Sequence, residues 1–168
     1  MTTYIRRLSI LFSLFFCLFT YNLSAQQQDH DHEHHSHKHP LNEIGIGNYL
    51  SYLAGEHEFA YSLHVHLLRF FEDSRFGAGL GYEQIFDEHR HRSLTMIGAF
   101  RLSHPLVLTL GPGILFGNEE NPGNRFTVHA ELVYEFEIGH FHLGPALDFA
   151  TTFDEYHIGA GLHVAFAF

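Results

Sequence analysis

The sequence predicts an all-β fold: an antiparallel, up-and-down transmembrane β-barrel of about eight strands, preceded by a histidine-rich, disordered tail. Three observations carry that prediction. Large apolar residues alternate with small or polar ones at a period of two, in one segment after another from residue 41 to residue 168. The links between these segments are short, which joins consecutive strands only as antiparallel neighbours. The second face of the strands is rich in glycine and alanine, which suits the narrow inside of a small barrel better than a surface in water.

Residues 1–25 precede all of this. They have a basic start at Arg6 and Arg7, an apolar run from Leu8 to Leu23, and small residues Ser24 and Ala25 before a polar stretch. This is the pattern of a cleaved secretory signal peptide. An uncleaved anchor is the rival, but Ser13, Thr20 and Asn22 interrupt a run already short against the roughly 20 residues of a spanning helix. Lipid attachment at Cys17 would want small residues before it, where Leu14, Phe15 and Phe16 stand. Cys17 is the sole cysteine, so no disulfide framework exists. The formal charge is −10, and loss of residues 1–25, which hold Arg6, Arg7 and no acid, takes it to −12. Such an acidic chain is unsuited to gripping nucleic-acid phosphates.

Residues 26–40 form the tail. His30, His32, His34, His35, His37 and His39 interleave with Asp29, Asp31 and Glu33, and no large apolar residue is present to build a core. Imidazole and carboxylate together suit Zn, Cu or Ni ions, and a chain of this composition can gather several donors around one ion. Nothing in it sets a coordination geometry, so a solubilising spacer is the competing reading.

The barrel segment, 41–168, then unfolds strand by strand. Ile44, Ile46, Leu50 and Tyr52 alternate with Gly45, Gly47, Tyr49 and Ser51, and Phe59, Tyr61, Leu63, Val65 and Leu67 with Ala60, Ser62, His64 and His66. A third strand sets Phe76, Ala78, Leu80 and Tyr82 against Gly77, Gly79, Gly81 and Glu83, and a fourth sets Leu94, Met96, Phe100 and Leu102 against Thr95, Ala99 and Arg101. Leu106, Leu108 and Leu110 begin a fifth. The sixth runs from Phe126 to Ile138, the seventh from Phe141 to Phe149, and the last from Tyr156 to Phe168. Turn-like links fall at 54–57, 72–75, 87–92, 104–105, 118–124, 139–140 and 151–155. Closing the sheet on itself removes both exposed edges.

Periodicity alone leaves open which face points inward. A soluble barrel would turn the apolar face to an internal cavity and show water a face of charged residues. Glycine on a solvated face weakens a strand and gives nothing in return, so the apolar face is expected to point outward, into lipid. Aromatic residues near strand ends, including Tyr52, Phe59, Phe86, Phe100, Phe116, Phe141, Phe149, Tyr156 and Phe168, fit interfacial girdles. Asn48 and Gln84 would interrupt that apolar face, and Asn48 has no evident reason for being there. Pro112 and Pro145 fall inside strands, where bulges or strand ends are expected. Arg69 sits where it can snorkel to a strand end.

With its alternating strands and a C-terminal AFAF ending on Phe168, the segment 41–168 resembles the small outer-membrane β-barrel proteins of Gram-negative bacteria, of the OmpA and OmpX type. The resemblance implies an outer-membrane location, lipid as the surrounding partner, a monomer, and a tail in the periplasm. It also implies that Tyr156, Leu162, Val164, Phe166 and Phe168 form the signal read by the barrel assembly machinery. It implies no activity.

The bore is expected to hold Glu43, His64, His66, Glu83, Arg101, His129, Glu131, Glu135, Glu137, His142, Asp148, His157 and His163. Counted along the strands, His129, Glu131, Asp148 and His157 come from neighbouring strands, and they are the ligand types of zinc. Such side chains also serve as plain bore packing, in which buried charges find partners. Three functions stay open: metal capture by the tail histidines, a structural barrel with no ligand, and a lipid-modifying enzyme. Catalysis has the least support, because a nucleophile, a base and an orienting carboxylate must be displayed together and the Ser–His neighbours fall in the tail (Ser36–His37) and at a turn (Ser103–His104); no catalytic residue or organic cofactor is assigned.

Overall fold

The computed structural model describes residues 41–118 and 122–168; the signal peptide and the histidine-rich tail read from the sequence lie outside the described residues. The strands are β1 (Asn42–Leu53), β2 (Glu58–Phe70), β3 (Phe76–Phe86), β4 (Arg92–Ser103), β5 (Leu106–Leu115), β6 (Arg125–Tyr134), β7 (Phe136–Ile138), β8 (Phe141–Thr151) and β9 (Tyr156–Ala167). Each pairs antiparallel with its neighbours, and β1 pairs with both β2 and β9. β6 and β7 act as one stave, because both pair with β8 in one continuous register, Val133 opposite Ala146 and Phe136 opposite Leu143. The sheet is therefore a closed barrel of eight staves.

The faces are oriented as glycine content indicated. Leu50 and Met96 are 61 % and 68 % exposed on the outside, whereas Ser51 and Ser62 are wholly buried inside and share a hydroxyl hydrogen bond of 2.7 Å. Aromatic pairs gather toward both ends of the staves. Tyr52 and Phe59 (ring centroids 5.1 Å apart), Tyr61 and Phe86 (5.5 Å) and Phe149 and Tyr156 (6.2 Å) mark one end. Phe76 and Phe100 (4.8 Å) and Phe141 and Phe166 (5.2 Å) mark the other. At that second end Asn42 and Phe168 exchange backbone hydrogen bonds of 3.1 and 2.8 Å, joining the first stave to the last.

The polar residues of the exterior are locally satisfied. Tyr61 on β2 donates its hydroxyl to Asn48 Oδ1 at 2.6 Å, which accounts for an amide on the apolar face. Gln84 donates to the Ile85 and His91 carbonyls at 2.9 and 3.3 Å, and Arg69 donates to Asn42 Oδ1 at 3.2 Å.

Neither internal proline produces a bulge. Pro112 holds an unbroken register with β6, while on its β4 side the ladder passes from Thr95–Gly113 to Gly98–Leu110 with no shift. Pro145 pairs with Leu162 of β9, and the cost of its missing N–H falls on the neighbouring stave: β6 ends at Tyr134, opposite Pro145 in that register, and resumes as β7. The bulge in the β4–β5 ladder lies instead between Arg101 and Ser103.

The inside departs from an expectation of small and polar residues alone. Leu68, Phe70, Ile97, Ala99 and Val107 form a buried apolar cluster toward the end that carries Asn42 and Phe168, and Leu53, Ala60 and Ile85 form another toward the opposite end. Arg101 lies with its guanidinium carbon 3.7 Å from the centre of the Phe70 ring. Glu137 is exposed, near the exposed His104 at 3.9 Å, so it belongs to the barrel's end and not to its bore.

Candidate metal-ligating network in the bore

The middle of the bore is polar because alternation delivers every second residue to it. Tyr49 is its largest fully buried side chain. Its ring lies over Gly47, where an added Cβ would fall 2.7 Å from the ring carbon that bears the hydroxyl, so glycine is required for the tyrosine to lie down. The Tyr49 hydroxyl donates a short hydrogen bond to Glu131 Oε1. His64 Nδ1 stands 3.2 Å from the other oxygen of Glu131, without the geometry of a hydrogen bond.

Toward the end marked by Tyr52 and Phe59, His129 Nε2 donates to Asp148 Oδ1. His157 Nε2 donates to Glu83 Oε1 at 3.1 Å and lies 3.3 Å from Asp148 Oδ2. Three of the residues grouped from the sequence, His129, Asp148 and His157, thus come together with Glu83. The fourth, Glu131, is directly opposite Asp148 in the β6–β8 ladder but turns its carboxylate to Tyr49 and His64. In this cluster each imidazole already has a carboxylate partner.

Toward the end that holds Asn42 and Phe168, His142 Nδ1 donates to Glu43 Oε2 at 2.8 Å and lies 3.6 Å from Glu135 Oε2. The other oxygen of Glu43 is 3.6 Å from His66 Nε2. The His66 and His163 rings stack, with centroids 5.0 Å apart and planes 25° from parallel. Glu43, Glu83, Glu131, Glu135 and Asp148 are all buried, and no lysine or arginine among the described residues is buried with them.

Outside the membrane-facing staves, His91 in the loop between β3 and β4 binds Asp87, its Nδ1 donating to Asp87 Oδ2 at 2.6 Å and its backbone N–H to Oδ1 at 3.0 Å. Glu56, in the adjacent loop, is held above the usual carboxylate range chiefly by burial, and the nearby Asp87 charge adds to the effect while His91 and His89 oppose it.

No family model matches the chain, and no curated protein matches it. Solved structures do. Ail, the attachment invasion locus protein of Yersinia pestis, superposes with a TM-score of 0.54 at 14 % identity, covering 77 % of this chain and 99 % of that one. The N-terminal β-barrel domain of Pseudomonas aeruginosa OprF gives 0.50 at 16 % identity, over 76 % and 99 %. A de novo designed transmembrane β-barrel gives 0.51 at 12 % identity, over 76 % and 97 %. The protein has the fold of the small eight-stranded outer-membrane barrels. At these identities the likeness concerns the fold.

Proposed function

We propose that the protein is an integral outer-membrane barrel that captures or buffers Zn, Cu or Ni ions at the membrane through the histidines of its tail, His30, His32, His34, His35, His37 and His39. The observation that carries the capture reading is the density of donors in that tail, six imidazoles interleaved with Asp29, Asp31 and Glu33. The membrane reading is supported by the continuous apolar exterior with aromatic residues toward both ends, and by the shared fold. On this reading the tail is periplasmic, the barrel is a monomer surrounded by outer-membrane lipid, and Tyr156, Leu162, Val164, Phe166 and Phe168 present the signal to the barrel assembly machinery. The four outward-facing residues of β9 among them are exposed on one side of the strand, as such a reader requires. We assign no enzymatic activity.

Calorimetric titration with Zn²⁺ tests the capture reading on the full chain and on a variant with all six tail histidines changed to alanine. The expected result is loss of most bound equivalents in the variant. Equal binding by the two proteins would remove the tail from the mechanism.

A second reading is a structural barrel with no ligand, and one observation favours it. The cluster of His129, Asp148, His157 and Glu83 is internally paired, and an apolar cluster of Leu68, Phe70, Ile97, Ala99 and Val107 packs inside the barrel toward the end that holds Asn42 and Phe168. We therefore read His129, Glu131, Asp148 and His157 as bracing and not as an ion site. On this reading planar bilayers containing the protein show no single-channel conductance, and steady ion current would count against it.

A further inference from the structure

Away from that paired cluster, the bore holds histidines with nothing to bond to. Both ring nitrogens of His66 and both of His163 are buried without a hydrogen-bond partner, in side chains only 3 % and 1 % exposed. An unpaired polar group in such a place costs on the order of 1–3 kcal/mol, and each imidazole carries one N–H donor and one acceptor. His64 shares this state, although its Nδ1 stands 3.2 Å from Glu131, in a bore that elsewhere pairs His129, His142 and His157 with carboxylates.

Their geometry is convergent. His66 stands opposite Gly45 in the β1–β2 ladder, and His163 stands opposite Gly47 in the β1–β9 ladder. The space that Gly45 leaves empty is where the two Nε2 atoms meet: a Cβ placed there would overlap both, at 2.6 Å in the case of His163. Glu43 lies on the same face of β1, two residues earlier, and it is buried with its Oε1 3.6 Å from His66 Nε2. One donor atom from each of Glu43, His66 and His163 lies within 4.8 Å of the other two. At a tetrahedral zinc ion with bonds near 2.1 Å donors stand about 3.4 Å apart, so small rotations of these side-chain ends would close the shell.

We infer that Glu43, His66 and His163 form an intrinsic binding site inside the barrel for a divalent transition-metal ion of the zinc class, distinct from the tail. Two imidazoles and one carboxylate are a ligand set that zinc accepts with a fourth position left for water. The ion would give the orphaned nitrogens a partner and would set positive charge beside Glu43 and Glu135, which share His142 and have no buried lysine or arginine with them. His142, which donates to the second oxygen of Glu43 at 2.8 Å, would hold that carboxylate in orientation as an outer partner. Glu43 follows Asn42, whose backbone joins Phe168 at the barrel's end, so the site lies close to that opening.

The test uses the full chain with the six tail histidines changed to alanine, so that tail binding and bore binding are separated. Titration with Zn²⁺, and with Co²⁺ as an absorbing stand-in, is expected to show one equivalent per chain. His66→Gln and His163→Gln should each weaken it at least tenfold, and Gly45→Ala should abolish it by displacing both imidazoles while leaving every ligand residue unsubstituted. His129→Gln, in the paired cluster, should leave it unchanged. Circular dichroism confirms that each variant is folded. Where a variant does not fold, X-ray absorption on the zinc-loaded protein with an unmutated bore decides, the expected shell containing two imidazoles and a carboxylate oxygen. A folded tail-free protein that binds no Zn²⁺, a shell without imidazole, or binding undiminished in both histidine variants would overturn the site. Failure of the tail reading would appear separately, as equal total binding with and without the tail histidines.

Discussion

Asn48 shows how a single residue on a lipid-facing strand is tolerated. An amide in hydrocarbon needs a partner, and the Tyr61 hydroxyl supplies one at 2.6 Å from the adjacent stave, where Tyr61 lies two residues from Leu63, the residue that faces Asn48. Tyr61→Phe should therefore destabilise the barrel by about 1–2 kcal/mol, since it leaves the Asn48 oxygen unpaired. Asn48→Leu together with Tyr61→Phe should recover the loss. Denaturant unfolding in lipid vesicles reads both, and an additive double variant would show that the pair does not interact. Inside the barrel the same logic runs through glycine. Gly47 lets the Tyr49 ring lie flat and reach Glu131, and Gly45 leaves the space on which His66 and His163 converge. These glycines were legible in the sequence as a bore face. Their specific partners were not, because a glycine carries no mark of the side chain that will occupy its space.

At the scale of strands, the alternation from Ile44 to Phe168 located every stave, since a period of two is a local property and each link is a short hairpin. Pro145 was legible as a disturbance, but its effect lies in another strand, because a missing N–H breaks the ladder on the side to which it would have donated. The result is β7, three residues separated from β6 at Glu135. Amides of Phe136, Glu137 and Ile138 should exchange with solvent deuterium faster than those of Val128–Val133, which pair on both sides. Hydrogen exchange followed by mass spectrometry checks this, and uniform protection from Arg125 to Ile138 would show that the break has no dynamic consequence. The buried Leu68, Phe70, Ile97, Val107 and Val133 escaped a reading based on alternation. They are apolar on the inward face, in segments such as 67–71 where both faces are apolar and the period disappears.

For the molecule as a whole, closure decides which residues meet. Glu43, His66 and His163 come from β1, β2 and β9, and it is the β1–β9 pairing that brings the first stave beside the last. That pairing joins positions over a hundred residues apart, and no local pattern reports its register. The grouping of Glu131 with His129, Asp148 and His157 followed strand position correctly and still missed that Tyr49, from across the bore, captures the carboxylate. A polar-centred interior and an apolar exterior together require that the outside meet hydrocarbon, because nothing among the described residues covers the large side chains at Leu50, Leu110, Leu147 and Leu162. The most direct measurement places a nitroxide label at each of Leu50, Leu110, Leu147 and Leu162 through single cysteines in a Cys17→Ser background, with the protein in lipid vesicles. The account predicts that oxygen, which concentrates in the bilayer, relaxes all four labels strongly while chromium oxalate, which stays in water, does not; strong relaxation by chromium oxalate at these sites would contradict it.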